Sequence, residues 1–89
     1  MNTREKIVQV EIKIVTDAIV NFQAKIADAV AEAIREDKDV VVSPARTTRL
    51  RSNTGQTTLS IEADFRTIHP LDPTPLGWVR YGNPLLRRT

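Results

Sequence analysis

The apolar side chains of the first third of this chain recur in two ways at once. Val8, Val10, Ile12 and Ile14 alternate with Gln9, Glu11 and Lys13, the period-2 pattern of a half-buried strand. The same stretch can be read at helical spacing. Val8, Ile12, Val15, Ile19, Phe22 and Ile26 lie four, three, four, three and four residues apart, which suits one continuous helix from about Thr3. β-Branched residues crowd positions 6–15, and such side chains lower helix propensity while favouring strands. The expectation is therefore a strand over 6–15, with Thr16 or Asp17 capping the helix that follows. That helix is expected over about 17–36. Ala18, Ile19, Phe22, Ile26, Ala29, Val30, Ala33 and Ile34 form its apolar stripe, and Asn21, Lys25, Asp28, Glu32 and Glu36 lie opposite. Glu36, Asp37 and Asp39 would oppose the negative pole of the helix, so the helix should stop there in a short exposed turn.

Val40, Val41 and Val42 begin a second strand, which Pro44 should confine to an edge or a bulge. Residues 45–66 carry a hairpin pattern. Leu59, Ile61, Ala63 and Phe65 alternate with Ser60, Glu62 and Asp64, and Asn53, Thr54 and Gly55 supply the turn. A two-residue loop at Thr54 and Gly55 would set Leu50 opposite Leu59 and Thr48 opposite Ile61. Thr47, Arg49 and Arg51 would then share a polar outer face with Thr58, Ser60, Glu62 and Asp64. After Ile68 the chain holds four of its five prolines and two of its three glycines, so regular structure is expected only in a short strand near 77–81. Leu71, Leu76, Trp78, Val79, Tyr81, Leu85 and Leu86 make this segment too apolar for a solvated linker. The expected architecture is α+β: a two-layer β-α-β-β domain over 1–68, one long helix on a small sheet, with an extended Pro-rich C-terminal arm over 69–89. The arm should lie on a neighbour or on the open face of its own sheet.

Charge sharpens this division. Up to Asp39 there are six basic and eight acidic side chains, including all four lysines; from Val40 onward there are seven arginines against Glu62, Asp64 and Asp72. Arginine forms bidentate contacts with carboxylate or phosphate and stacks on aromatic rings, so it suits surfaces that meet. Trp78, Arg80, Tyr81, Leu85 and Leu86 are thus the candidate protein interface, Trp, Tyr and Arg being the types that dominate interface energetics. Arg46, Arg49, Arg51 and Arg66, with Arg87 and Arg88 near the end, are the alternative nucleic-acid contacts, carried by the basic hairpin 45–66.

Catalytic chemistry finds little support. His69 is the only histidine and precedes a proline in a loop, with no Cys beside it. Glu62 and Asp64 share a strand face, but Arg49 and Arg51 should lie across the hairpin from them, so ion pairing is the expected role. The three glycines form no phosphate-binding pattern. No cofactor or metal is expected. A small cysteine-free domain gains from oligomerisation, and no apolar run approaches the ~18–20 residues that span a bilayer. The expected function is a non-enzymatic structural or assembly subunit of an oligomeric complex, of the virion or tail-component kind, located in the cytoplasm or a virion. The alternative is a nucleic-acid-binding module.

Overall fold

A computed structural model describes residues 3–83 of the chain. One long helix, α1 (Thr3–Arg35), leads into five short strands: β1 (Asp39–Val42), β2 (Arg46–Arg51), β3 (Thr57–Glu62), β4 (Phe65–Ile68) and β5 (Val79–Tyr81). The architecture is α+β, with the helix packed on small antiparallel sheets in the orders β4-β1-β5 and β2-β3. The strand expected over 6–15 is instead the first part of α1. There the four-three spacing prevails over β-branched propensity, because one straight helix presents Val8, Ile12, Val15, Ile19, Phe22 and Ile26 along a single seam.

The 33 residues of α1 give it a length of about 50 Å at 1.5 Å per residue. That length sets the molecular dimensions of 57 × 23 × 20 Å. The radius of gyration is 17.4 Å, against roughly 12 Å for a compact domain of this size. The body gathers around the C-terminal part of the helix. Ala33, Val40 and Val42 form its buried cluster, with Phe22, Ala29, Ala63 and Phe65 packed against it. Phe22 and Phe65 meet edge-tilted, their ring centroids 6.0 Å apart.

The helix ends where expected, and the backbone shows why. Lys38 N–H donates to Ala33 C=O (2.9 Å) and Asp37 N–H to Ile34 C=O (3.3 Å), with Asp37 at φ 56°. This is the paired closure that caps helices through one left-handed residue, a role Asp accepts more readily than most. The turn is not uniformly exposed, however, because Asp39 is buried.

β1 is the central strand and not an edge, since it pairs antiparallel with both β4 and β5. Pro44 is no obstacle because it falls beyond the last paired residue, Val42. Ser43 continues the ladder toward β4, its N–H donating to Asp64 C=O (2.9 Å) while its hydroxyl accepts from Asp64 N–H (2.8 Å). At residues 63–64 the alternating run of the sequence bends, and the chain passes from pairing with β2 to pairing with β1.

The hairpin register differs from expectation by one residue. Ser52 and Gln56 close the turn through Ser52 N–H to Gln56 C=O (2.8 Å), Gly55 N–H donates to Ser52 C=O (3.0 Å), and Gly55 sits at φ 84°. Asn53, Thr54 and Gly55 are therefore a three-residue loop with Gly55 in the left-handed position, not a two-residue loop. Arg49 faces Leu59 and Thr47 faces Ile61 as a result. A shift of one residue exchanges the two faces of a strand. Arg49 and Arg51 thus turn toward the helix side with Leu59, while Leu50 points outward and stays 58% exposed.

Candidate interaction surfaces

Alternation along β1 sends Val40 and Val42 toward α1 and Val41 to the opposite face, in one row with Arg66 and Arg80. Val41 is fully buried although no helix covers that side. Its cover is the proline-rich segment after β4, held down by Arg80. The guanidinium lies on Asp39, with Nε and a terminal nitrogen each 2.9 Å from Oδ2. Its remaining donors reach the Pro70 carbonyl (2.9 Å), the Asp72 carbonyl (2.6 Å), the His69 carbonyl (3.3 Å) and the Thr74 hydroxyl (3.3 Å). One largely covered fork thus fixes the loop that crosses the sheet. The other carboxylate oxygen of Asp39 accepts the Asn83 N–H at 2.7 Å, and Asn83 Nδ2 donates to Ala33 C=O at 3.5 Å. Asp39 and Asn83 are both buried, at 4% and 1% exposure. The sequence pattern places Asp39 in an exposed turn and assigns Asn83 no role, because both are chemically ordinary until β5, about forty positions on, brings them together.

The aromatic cluster has a mixed placement. Trp78 is half-buried and carries the Arg66 guanidinium over its ring, 4.9 Å from the centroid. Such a contact adds roughly 0.5–1 kcal/mol near a surface. Tyr81 and Val79 lie on β5 toward its open edge, at 36% and 56% exposure. Beyond the turn that Gly77 makes at φ 82°, Leu76 is fully exposed, as Leu71 nearly is. Of the interface candidates, Trp78, Arg80 and Tyr81 are brought to one strand and its entry. Leu85 and Leu86, with Arg87 and Arg88, lie outside the described residues.

The hairpin arginines do not share one face. Arg49 makes a bidentate contact with Glu11 of α1, at 3.0 and 3.2 Å, and so ties the hairpin to the helix. Arg46, opposite Glu62 in the register, approaches Asp64 at 3.7 Å from the other side. Arg51 is exposed beside the turn. Ion pairing does engage the carboxylate at 64, but through Arg46, since the one-residue shift carries Arg49 and Arg51 away from it. Between the hairpin tip and α1 runs an open groove of about 490 Å³, lined by Val10, Lys13, Ile14 and Asp17 and by residues 55–59. His69 is an exposed loop residue whose Nδ1 accepts the Leu71 N–H at 3.1 Å. Among the described residues no group of three or more His, Cys, Asp or Glu side chains could hold a metal ion, and no helix is long and apolar enough to cross a membrane.

Among the described residues a further open apolar surface is one that residue types alone did not single out. Ile7, Val8, Val10, Ile12, Val15, Ile19 and Val20 all stand on the N-terminal part of α1, at between 39% and 60% exposure. Four of them, Val8, Ile12, Val15 and Ile19, were signalled in the sequence by the four-three spacing. The chain matches no protein-family model, no curated protein and no solved structure.

Proposed function

We propose that this protein is a non-enzymatic structural subunit of an oligomeric assembly, of the size and kind found among virion or tail components. The observation that carries the reading is the cluster of exposed large apolar side chains from Ile7 to Val20 on α1, with further exposed ones at Leu50, Leu71, Leu76 and Val79. Contiguous apolar surface on a small protein marks an interaction site. The C-terminal edge, with Val79, Tyr81 and the exposed Leu71 and Leu76, offers one contact. The outer face of the hairpin, with Leu50 and Arg46, offers another, and Arg51 stands exposed beside the turn. Light scattering at two protein concentrations tests the proposal: the mass should exceed that of one chain and rise with concentration. A single-chain mass at every concentration, with no partner retained from the native source, would remove it.

A nucleic-acid-binding role for the hairpin draws on the exposed Arg46 and Arg51, but Arg49 already meets a carboxylate of its own chain. Steep loss of affinity with rising salt, flattened when Arg46 and Arg51 become Ala, would favour that role over assembly.

A further inference from the structure

The seam of α1 is uninterrupted, but its cover is not. From Val8 the spacing of four and three continues through Ile12, Val15, Ile19, Phe22 and Ile26 to Ala29 and Ala33. The later positions lie on the chain's own sheet, where Phe22, Ala29 and Ala33 meet the buried valines. The earlier four stand open, at 54%, 60%, 39% and 42% exposure for Val8, Ile12, Val15 and Ile19. A seam repeating every 3.5 residues is shaped to receive another helix. The segment also needs that cover, because its β-branched side chains make it a poor helix former and only the hairpin supports it on one side.

We infer that residues 8–19 of α1 pair with the same segment of a second copy, antiparallel, about a two-fold axis near Lys13 and Ile14. The inference rests on the assembly reading and names its partner. Three observations favour a second copy in this orientation. Antiparallel pairing sets Val8 against Ile19 and Ile12 against Val15, so every layer holds one valine and one isoleucine and the layers match in volume. Over the helix up to Val20, Arg4, Lys6 and Lys13 balance Glu5, Glu11 and Asp17, so two copies bring no net repulsion. The sheet occupies the C-terminal continuation of the same seam, so a parallel pair would crowd both bodies at one end. An antiparallel pair places them at opposite ends. The twelve residues span about 18 Å of helix, and ~15 Å of contact width gives roughly 540 Å² in total, the size of a weak encounter and below that of a stable dimer. The pairing should therefore form and dissolve with concentration.

The test exploits the absence of cysteine from the chain. A full-length Val8→Cys variant mixed with a full-length Ile19→Cys variant should give a disulfide-linked heterodimer under mild oxidation, while neither variant alone should cross-link appreciably. Cross-linking of Val8→Cys with itself would mean a parallel pair and overturn the inference, as would no cross-link in any mixture. Light scattering of the Ile12→Glu/Ile19→Glu variant, with its fold checked by circular dichroism, separates this inference from the broader reading. Both positions are exposed, so the monomer should stay folded and the self-association should be lost. Association undiminished in that variant would defeat the seam and leave the assembly reading standing. A wild type that remains a single chain without partners would defeat both.

Discussion

The two parts of α1 carry one seam and meet two fates. Past residue 21 the seam is closed by β1, β4 and the bend that joins β3 to β4, and its small residues Ala29 and Ala33 let the sheet approach closely. Before that point the larger Val8, Ile12, Val15 and Ile19 face solvent, although they are better suited to burial than alanine. The difference teaches that periodicity says which side of a helix is to be covered and nothing about what covers it. In the C-terminal part the partner is the same chain, because β1 follows immediately through a tight cap. In the N-terminal part only the hairpin approaches, and it takes a different side of the helix. Glu11 meets Arg49 there, and Ala18 is buried at 2% exposure.

The comparison breaks most completely if the covered part loses its sheet. Removing residues 77–89 takes away β5 and the Arg80 and Asn83 contacts, and this should unfold the body, seen as loss of the cooperative melting transition. Survival of that transition would mean that β5 is dispensable. Next in size is Asp39→Ala, which leaves the largely covered Arg80 guanidinium without its carboxylate and should cost roughly 3–5 kcal/mol in urea unfolding. A cost below about 1 kcal/mol would show that water reaches the pair.

The sharpest version sets two seam positions side by side. Phe22→Ala should destabilise by about 2–3 kcal/mol at any concentration, since it opens a space against Phe65. Ile12→Ala should change the dilute protein by no more than about 0.5 kcal/mol, alanine being the better helix former. Equal costs for the two in dilute solution would mean that the open seam is covered within the chain. Smaller still, Arg49→Ala should cost up to about 1 kcal/mol and less at high salt, because the pair with Glu11 is half-exposed. Smallest is a gain: Asp37→Gly should stabilise by roughly 0.5–1 kcal/mol, since glycine occupies the left-handed cap without strain. A loss at that position would show that the Asp37 side chain contributes more than its backbone costs.

The sequence made the helix on a small sheet legible, along with the place where the helix ends and the turn at Gly55. Two errors had physical causes. Residues 6–15 satisfy a period of 2 and a period of 3.5 together, and local propensity favoured the wrong one. Only the continuation of the seam into Phe22 and Ile26 argued for the right one. The hairpin register turned on whether the loop holds two residues or three, and Gly55 serves either. That single residue decides whether Arg49 faces solvent or Glu11. The role of Arg80 was not legible at all, because its partners are Asp39 and four positions in the loop after β4. Nothing in spacing or composition brings those residues to one point.

The Asp39 carboxylate also sets an order of events for a chain made from its N-terminus. By the time β4 exists, the packing of α1 on the hairpin and the pairing of β1 with β4 can form from residues already synthesised. Asp39 still lacks its partners, because Arg80 and Asn83 are made some forty residues after it. Until then a charge destined for the interior stays in water, and the face of β1 bearing Val41 has no lid. Closure of the body thus waits for β5 to pair beside β1. Nascent chains stalled before residue 79 should therefore be cut readily by protease, and those in which Asn83 has emerged should resist it.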